Sequence, residues 1–144
     1  MENNLISESS IKINASIAKV WDALVKPEII KKYMFGTEAV SDWKEGSKIS
    51  WKGEWEGKKY EDKGVILKLE PKKVLQYSHF SPLSGQPDKA ENYHTVTIEL
   101  SEEEGGETKV LLTQDKNKTK EEREHSEKNW GMMLDGLRKL LEKE

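Results

Sequence analysis

The sequence predicts one α+β domain, with an antiparallel sheet that carries its helices on one face. Three observations predict it. Polar and apolar residues alternate from Ser10 to Asn14 and are followed by two short helical stripes. Between residues 37 and 116 short alternating runs are divided by glycine, proline and acidic turns, the mark of a meander. From Trp130 to Leu141 apolar residues recur at helical spacing. One strand, two short helices, a run of strands and a long terminal helix segregate by type, which is the α+β order.

The first strand runs to Asn14, with Leu5 and Ile6 extending it backwards. Ile17, Val20, Trp21 and Leu24 then fall at i, i+3, i+4 and i+7 behind Ser16, the expected N-cap. Pro27 stops this helix and suits the first turn of the next, where its missing N–H is not needed; Ile29, Ile30, Tyr33 and Met34 anchor that second helix, and Phe35-Gly36 closes it. Trp21 and Trp43 are expected to pack in the core.

In the meander, Ile49, Trp51, Gly53 and Trp55 share one parity, Glu56-Gly57 makes a tight turn, and a long strand returns through Tyr60 to Leu69 before Pro71. Gly64 is expected to mark a bulge or bend in it. Leu75, Tyr77 and His79 share the next face, and the loop from Ser81 to Glu91 leads to His94, Val96, Ile98 and Leu100. If that hairpin is symmetric, His79 faces His94, Tyr77 faces Val96 and Leu75 faces Ile98. After the acidic turn at Glu102 to Glu107 the last strand spans Thr108 to Gln114. Thr119 and Glu122 form a capping box that opens the final helix. Its charged first part, to Lys128, is expected to overhang the solvent, and its buried part to begin at Trp130. The total is six to seven strands in one domain over residues 1–144.

Composition narrows the function. Of 144 residues 35% are charged, against a usual share of about 25%, yet the net charge is only −3 because lysine and glutamate are interspersed. That mixing offers no footprint for nucleic acid or anionic lipid. The first residues carry neither a basic region nor an apolar stretch, and no apolar run approaches the length of a membrane span, so a cytoplasmic location is expected. Without cysteine there is no disulfide, thiolate metal site or cysteine nucleophile. Gly-x-Ser-x-Gly, a phosphate-binding glycine loop and His-Glu-x-x-His are all missing, so no catalytic residue, metal or cofactor is assigned.

Ile13-Asn14-Ala15-Ser16 leading to Val20-Trp21-Asp22-Ala23-Leu24 and Pro27-Glu28, then Gly64-Val65-Ile66-Leu67-Lys68-Leu69-Glu70-Pro71 with Val74-Leu75-Gln76-Tyr77, form an ordered set with Asn129-Trp130-Gly131 and Leu134, Leu137 and Leu140-Leu141. This set resembles the activator of heat-shock protein 90 ATPase homologue family of the START/SRPBCC superfamily. The resemblance extends from about Ile11 to Leu141 and implies the helix-grip fold, a curved sheet wrapped around the long terminal helix. Tyr33 and His79 stand where the family often has tryptophan.

That fold implies an apolar cavity between sheet and helix. The residues expected to line it are Trp51, Trp55, Tyr77, Trp130, Met133 and Leu137, with polar groups from Tyr77, His79, His94 and Gln114. Binding of a small apolar molecule is the first functional expectation. The alternatives are a cyclase, dehydratase or hydrolase in the same cavity, and a co-chaperone contact with heat-shock protein 90 implied by the family. Asp62, inward beside Trp51 if the Glu56-Gly57 turn sets the register, is the candidate acid or base. A pair of facing imidazoles at His79 and His94 would make half a metal site, for which no third ligand is visible. A monomer or weak homodimer is expected, with no nucleic acid or membrane partner.

Overall fold

The computed structural model describes residues 5–34, 36–55, 57–81 and 87–142. Strand β1 (Leu5–Ile13) is followed by helices α1 (Ile17–Val25) and α2 (Pro27–Tyr33), strands β2 (Glu38–Ser41), β3 (Lys48–Trp55), β4 (Lys58–Glu70), β5 (Val74–His79), β6 (His94–Glu102) and β7 (Thr108–Asn117), and helix α3 (Lys120–Glu142). All pairings are antiparallel, and the seven-stranded sheet has the order β1-β7-β6-β5-β4-β3-β2. The two short helices therefore carry the chain from one sheet edge to the other. This is the helix-grip arrangement that the resemblance implied.

Local chemistry accounts for most boundaries. The Ser16 side chain accepts the Lys19 amide at 3.2 Å and starts α1, and Pro27 occupies the first turn of α2. Phe35 and Glu56, expected in turns, lie outside the described residues; Gly57 beside the latter has φ +82°, a conformation that favours glycine. Thr119 Oγ1 accepts the Glu122 amide at 3.0 Å, but Glu122 Oε2 accepts from the Lys118 amide at 2.9 Å rather than from the cap residue.

Gly64 departs from expectation. Pairing of β3 with β4 continues through Ile49↔Gly64 and Lys48↔Val65 without a shift, and the irregularity falls between Ile66 and Lys68 on the β5 side. Glycine is needed at 64 because a Cβ there would stand 1.7 Å from the Ser78 carbonyl oxygen. The Ser78 hydroxyl accepts the Val65 amide at 2.9 Å, so a side chain replaces a ladder bond where the backbones crowd.

The core lies between the inner face of the sheet and the apolar stripe of α3, where Met133, Leu134, Leu137 and Leu141 are buried against Ile66, Leu75, Val96, Ile98 and Leu112. Trp21 is buried and Trp43 half-buried against this cluster. β7 runs three residues beyond the expected end at Gln114, and within this extension Lys116 adopts φ +56°. Ser7 faces Gln114 while Leu5 faces Asn117, so one extra residue is absorbed there and Asn117 turns inward. Its Nδ2 donates to the Leu5 and Gln114 carbonyls at 2.9 and 3.1 Å, tying the edge strand to its neighbour.

The first half of α3 does not overhang the solvent. Ser9 Oγ donates to the Glu127 carbonyl at 3.0 Å, Glu127 Oε2 accepts the Glu8 amide at 3.0 Å, and the Ser7 and Ser126 hydroxyls meet at 3.2 Å. Polar contacts with β1 dock this segment, so an apolar stripe was never the signal for it.

Candidate functional site

The turn after Trp55 aligns β3 and β4 so that Trp51 faces Asp62 and Gly53 faces Tyr60. Gly53 leaves space that the Tyr60 ring occupies: a Cβ at 53 would come 2.4 Å from the Tyr60 hydroxyl. That hydroxyl hydrogen-bonds Thr37 Oγ1 at 2.5 Å. The bridge of Lys63 with Phe80 sets Ser81 opposite Asp62, which makes His79 the diagonal neighbour of Asp62 on the inner face. Nε2–H of His79 donates to Asp62 Oδ2 at 2.9 Å, with the two side chains 23% and 19% exposed. The second oxygen, Asp62 Oδ1, is buried and has no hydrogen-bond partner among the described residues.

Trp51 is the hinge of the aromatic wall. Its ring lies 4.9 Å from Tyr77 and 5.1 Å from His79, both tilted. Burial pushes the Tyr77 hydroxyl well above the usual tyrosine range, and Tyr33, whose hydroxyl donates to the Ala23 carbonyl at 2.6 Å, is pushed up likewise, by burial first and then by Tyr77. On the opposite side Trp130 Nε1–H donates to Gln114 Oε1 at 2.7 Å, locking the indole of α3 onto β7.

These groups surround a cleft of about 420 Å³ between the sheet and α3. Of the residues named from the sequence, Trp51, Tyr77, His79, Gln114, Trp130 and Met133 lie along it. The side chain of Trp55 lies outside the described part of the structure. Leu137 does not line the cleft: it is fully buried, two helical turns past Trp130, and the space beneath Met133, Trp51 and Tyr77 has closed to about 20 Å³. The cavity is therefore a pocket at one end of the helix, above a filled core.

His94 faces His79 in register but lies off the main cleft, on an adjoining space of about 320 Å³. Its Nδ1–H donates to the Asp115 carbonyl at 2.9 Å, while His79 is held by Asp62, so the two imidazoles serve different partners. Among the described residues no group of three or more His, Cys, Asp or Glu side chains is placed to hold a metal ion.

Met34, Thr37, Tyr60, Glu122, His125, Ser126 and Asn129 also line the cleft. The α3 residues among them were detectable. Glu122, Ser126, Asn129 and Met133 are spaced at i, i+4, i+7 and i+11, so the buried stripe continues backward from Trp130 as a polar stripe on the same helical face. Thr37 carried no comparable signal, because only the fold brings it to Tyr60.

A seven-stranded antiparallel sheet closed by one long helix, with a cleft at the mouth between them, defines a helix-grip domain. Residues 14–142 match the family model described as activator of Hsp90 ATPase homolog 1-like protein, and the chain belongs to that family. The solution structure of ChR145 from Cytophaga hutchinsonii is similar at 62% identity and a TM-score of 0.87, over 99% of this chain and 97% of that one. The Aha1 dimer from Colwellia psychrerythraea shares the fold at 22% identity and a TM-score of 0.74, over 95% of this chain and 96% of that one. So does CalU16 from Micromonospora echinospora, at 22% identity and a TM-score of 0.70, over 94% and 82%. Comparison with curated proteins found no match. No helix among the described residues is long and apolar enough to cross a membrane.

Proposed function

We propose that the protein binds a small, largely apolar organic molecule in the cleft between the sheet and α3. One observation carries this: the cleft of about 420 Å³ brings together Met34, Trp51, Tyr77, Trp130 and Met133 as an apolar wall, with polar side chains such as Asp62, His79, Gln114 and Glu122 set among them. That volume lies within the range of ligand pockets, roughly 300–1,000 Å³. Burial supplies affinity, at about 25 cal/mol for each Å² of apolar surface before ordering costs. Tyr77, His79 and Gln114 supply orientation, with His94 acting from the adjoining space. The working protein is taken to be cytoplasmic, and monomeric or weakly dimeric.

The test is native mass spectrometry of freshly purified protein, followed by tryptophan-fluorescence titration with a panel of apolar compounds. A co-purified mass or saturable quenching supports binding. A clean apo mass, with no quenching by any compound, sinks it.

Proton transfer on a bound molecule is the second reading, favoured by the Asp62–His79 pair on the cleft wall. A carboxylate that fixes one imidazole nitrogen leaves the other to accept a proton, an arrangement that suits general-base catalysis. A carbon-acid probe such as 5-nitrobenzisoxazole, whose base-promoted ring opening releases a coloured phenolate, tests it: turnover that His79→Gln leaves unchanged excludes this role.

A further inference from the structure

We infer that the cleft selects a cationic ligand, an apolar organic amine, over neutral or anionic molecules of the same shape; this rests on the ligand-binding role proposed above. Three features of the wall point the same way.

The first is charge. Asp62 and Glu122 line the cleft, whereas no lysine or arginine is among the described residues that line it. Among the described residues that line it, the imidazoles of His79 and His125 are the only other ionisable groups besides the phenols of Tyr60 and Tyr77. When both are neutral, the two carboxylates leave the wall at a formal charge of −2. Lys116 and Lys118 border the adjoining space instead, and each already has an interaction partner.

The second is incomplete satisfaction of Asp62. One oxygen receives the His79 Nε2–H, while the other is buried and lacks a partner among the described residues. A carboxylate desolvated in this way attracts positive charge in the low-dielectric space beside it, even without direct contact. A carboxylate or phosphate ligand would meet repulsion there and find no fixed cation to offset it.

The third is aromatic. Trp51, Tyr77 and Trp130 line the same space, and such rings attract an ammonium group through their electron-rich faces. An apolar body with one protonated nitrogen uses the aromatic walls and the carboxylates together.

The experiment compares 4-phenylbutylamine, 4-phenylbutan-1-ol and 4-phenylbutyrate by quenching of tryptophan fluorescence at about pH 8.5, above the usual histidine range. The amine is expected to bind roughly tenfold tighter than the alcohol, and the acid weakest. Raising the salt to about 1 M should shrink the gap between amine and acid. Asp62→Asn and Glu122→Gln should each narrow it, although the ranking on the wild-type chain decides the matter whether or not a variant folds. Binding of the alcohol or the acid as tightly as the amine overturns the inference while leaving the cleft a binding site. Failure of all three to bind removes the binding role for molecules of this size, and the charge preference with it.

Discussion

Trp130 donates its indole N–H to the side-chain oxygen of Gln114 at 2.7 Å, and this bond joins α3 to β7 on the wall of the cleft. Gln114 is buried, so replacing it with leucine leaves the indole N–H without its acceptor. Gln114→Leu is expected to lower stability by about 1–2 kcal/mol in urea unfolding. Trp130→Ala removes both the bond and the half-buried ring, at about 2–3 kcal/mol, and weakens any cleft ligand. A double variant costing the sum of the two would show that the bond carries no coupling.

Two glycines in adjacent strands should respond differently to alanine. At Gly64 the new methyl group meets the Ser78 backbone carbonyl, which cannot move without parting β4 from β5. Gly64→Ala should cost more than about 3 kcal/mol or prevent folding. At Gly53 the obstacle is the Tyr60 ring, the free end of a side chain that can rotate. Gly53→Ala should therefore fold, with a loss of about 1 kcal/mol, while breaking the Tyr60–Thr37 bond and altering ligand affinity. Equal losses of stability at the two sites would refute the distinction, and thermal melts of both variants are sufficient to tell.

What the sequence disclosed follows from how local each feature is. The pairing of His79 with His94, Tyr77 with Val96 and Leu75 with Ile98 follows from hairpin symmetry, and Trp51 with Asp62 from one tight turn, so short-range rules predict both. β2 was not separately visible, because its four residues bury only Ala39. The Asp62–His79 bond needs the register of β4 with β5 across an irregular stretch, which no pattern within either strand reveals. Leu137 shares the stripe of Trp130 and Met133, and periodicity gives the face of a helix but not the depth at which the cavity ends.

Tyr33 and Tyr77 make stability fall at alkaline pH. Both phenols are held protonated in the folded chain by burial, with their ionisation pushed well above the usual value. Unfolded, they lose protons near pH 10, so above that pH the unfolded state binds fewer protons than the folded one and unfolding becomes easier. Each group contributes about 1.4 kcal/mol per pH unit once its unfolded form is ionised. Below pH 9 this contribution is fully present and flat. Urea midpoints from pH 8 to 11 should drop past pH 10, and Tyr77→Phe should reduce the slope. An unchanged slope in that variant would place its titration elsewhere.

The first half of α3 is tied to β1 by polar contacts. Ser9 and Glu127 clip it to β1, and Ser7 meets Ser126 beside the cleft, whereas the apolar stripe starts only at Trp130. Such a segment opens locally at a lower free energy than the core it adjoins. Glu127→Ala combined with Ser9→Ala should speed amide exchange from 121 to 128 while leaving exchange at Leu134 to Leu141 and the urea midpoint nearly unchanged. Because Glu122, His125, Ser126 and Asn129 form the cleft rim on this same segment, the variant should also release a bound ligand faster. If exchange accelerates along the whole helix instead, α3 opens as one unit, and the β1 clip belongs to global stability rather than to access.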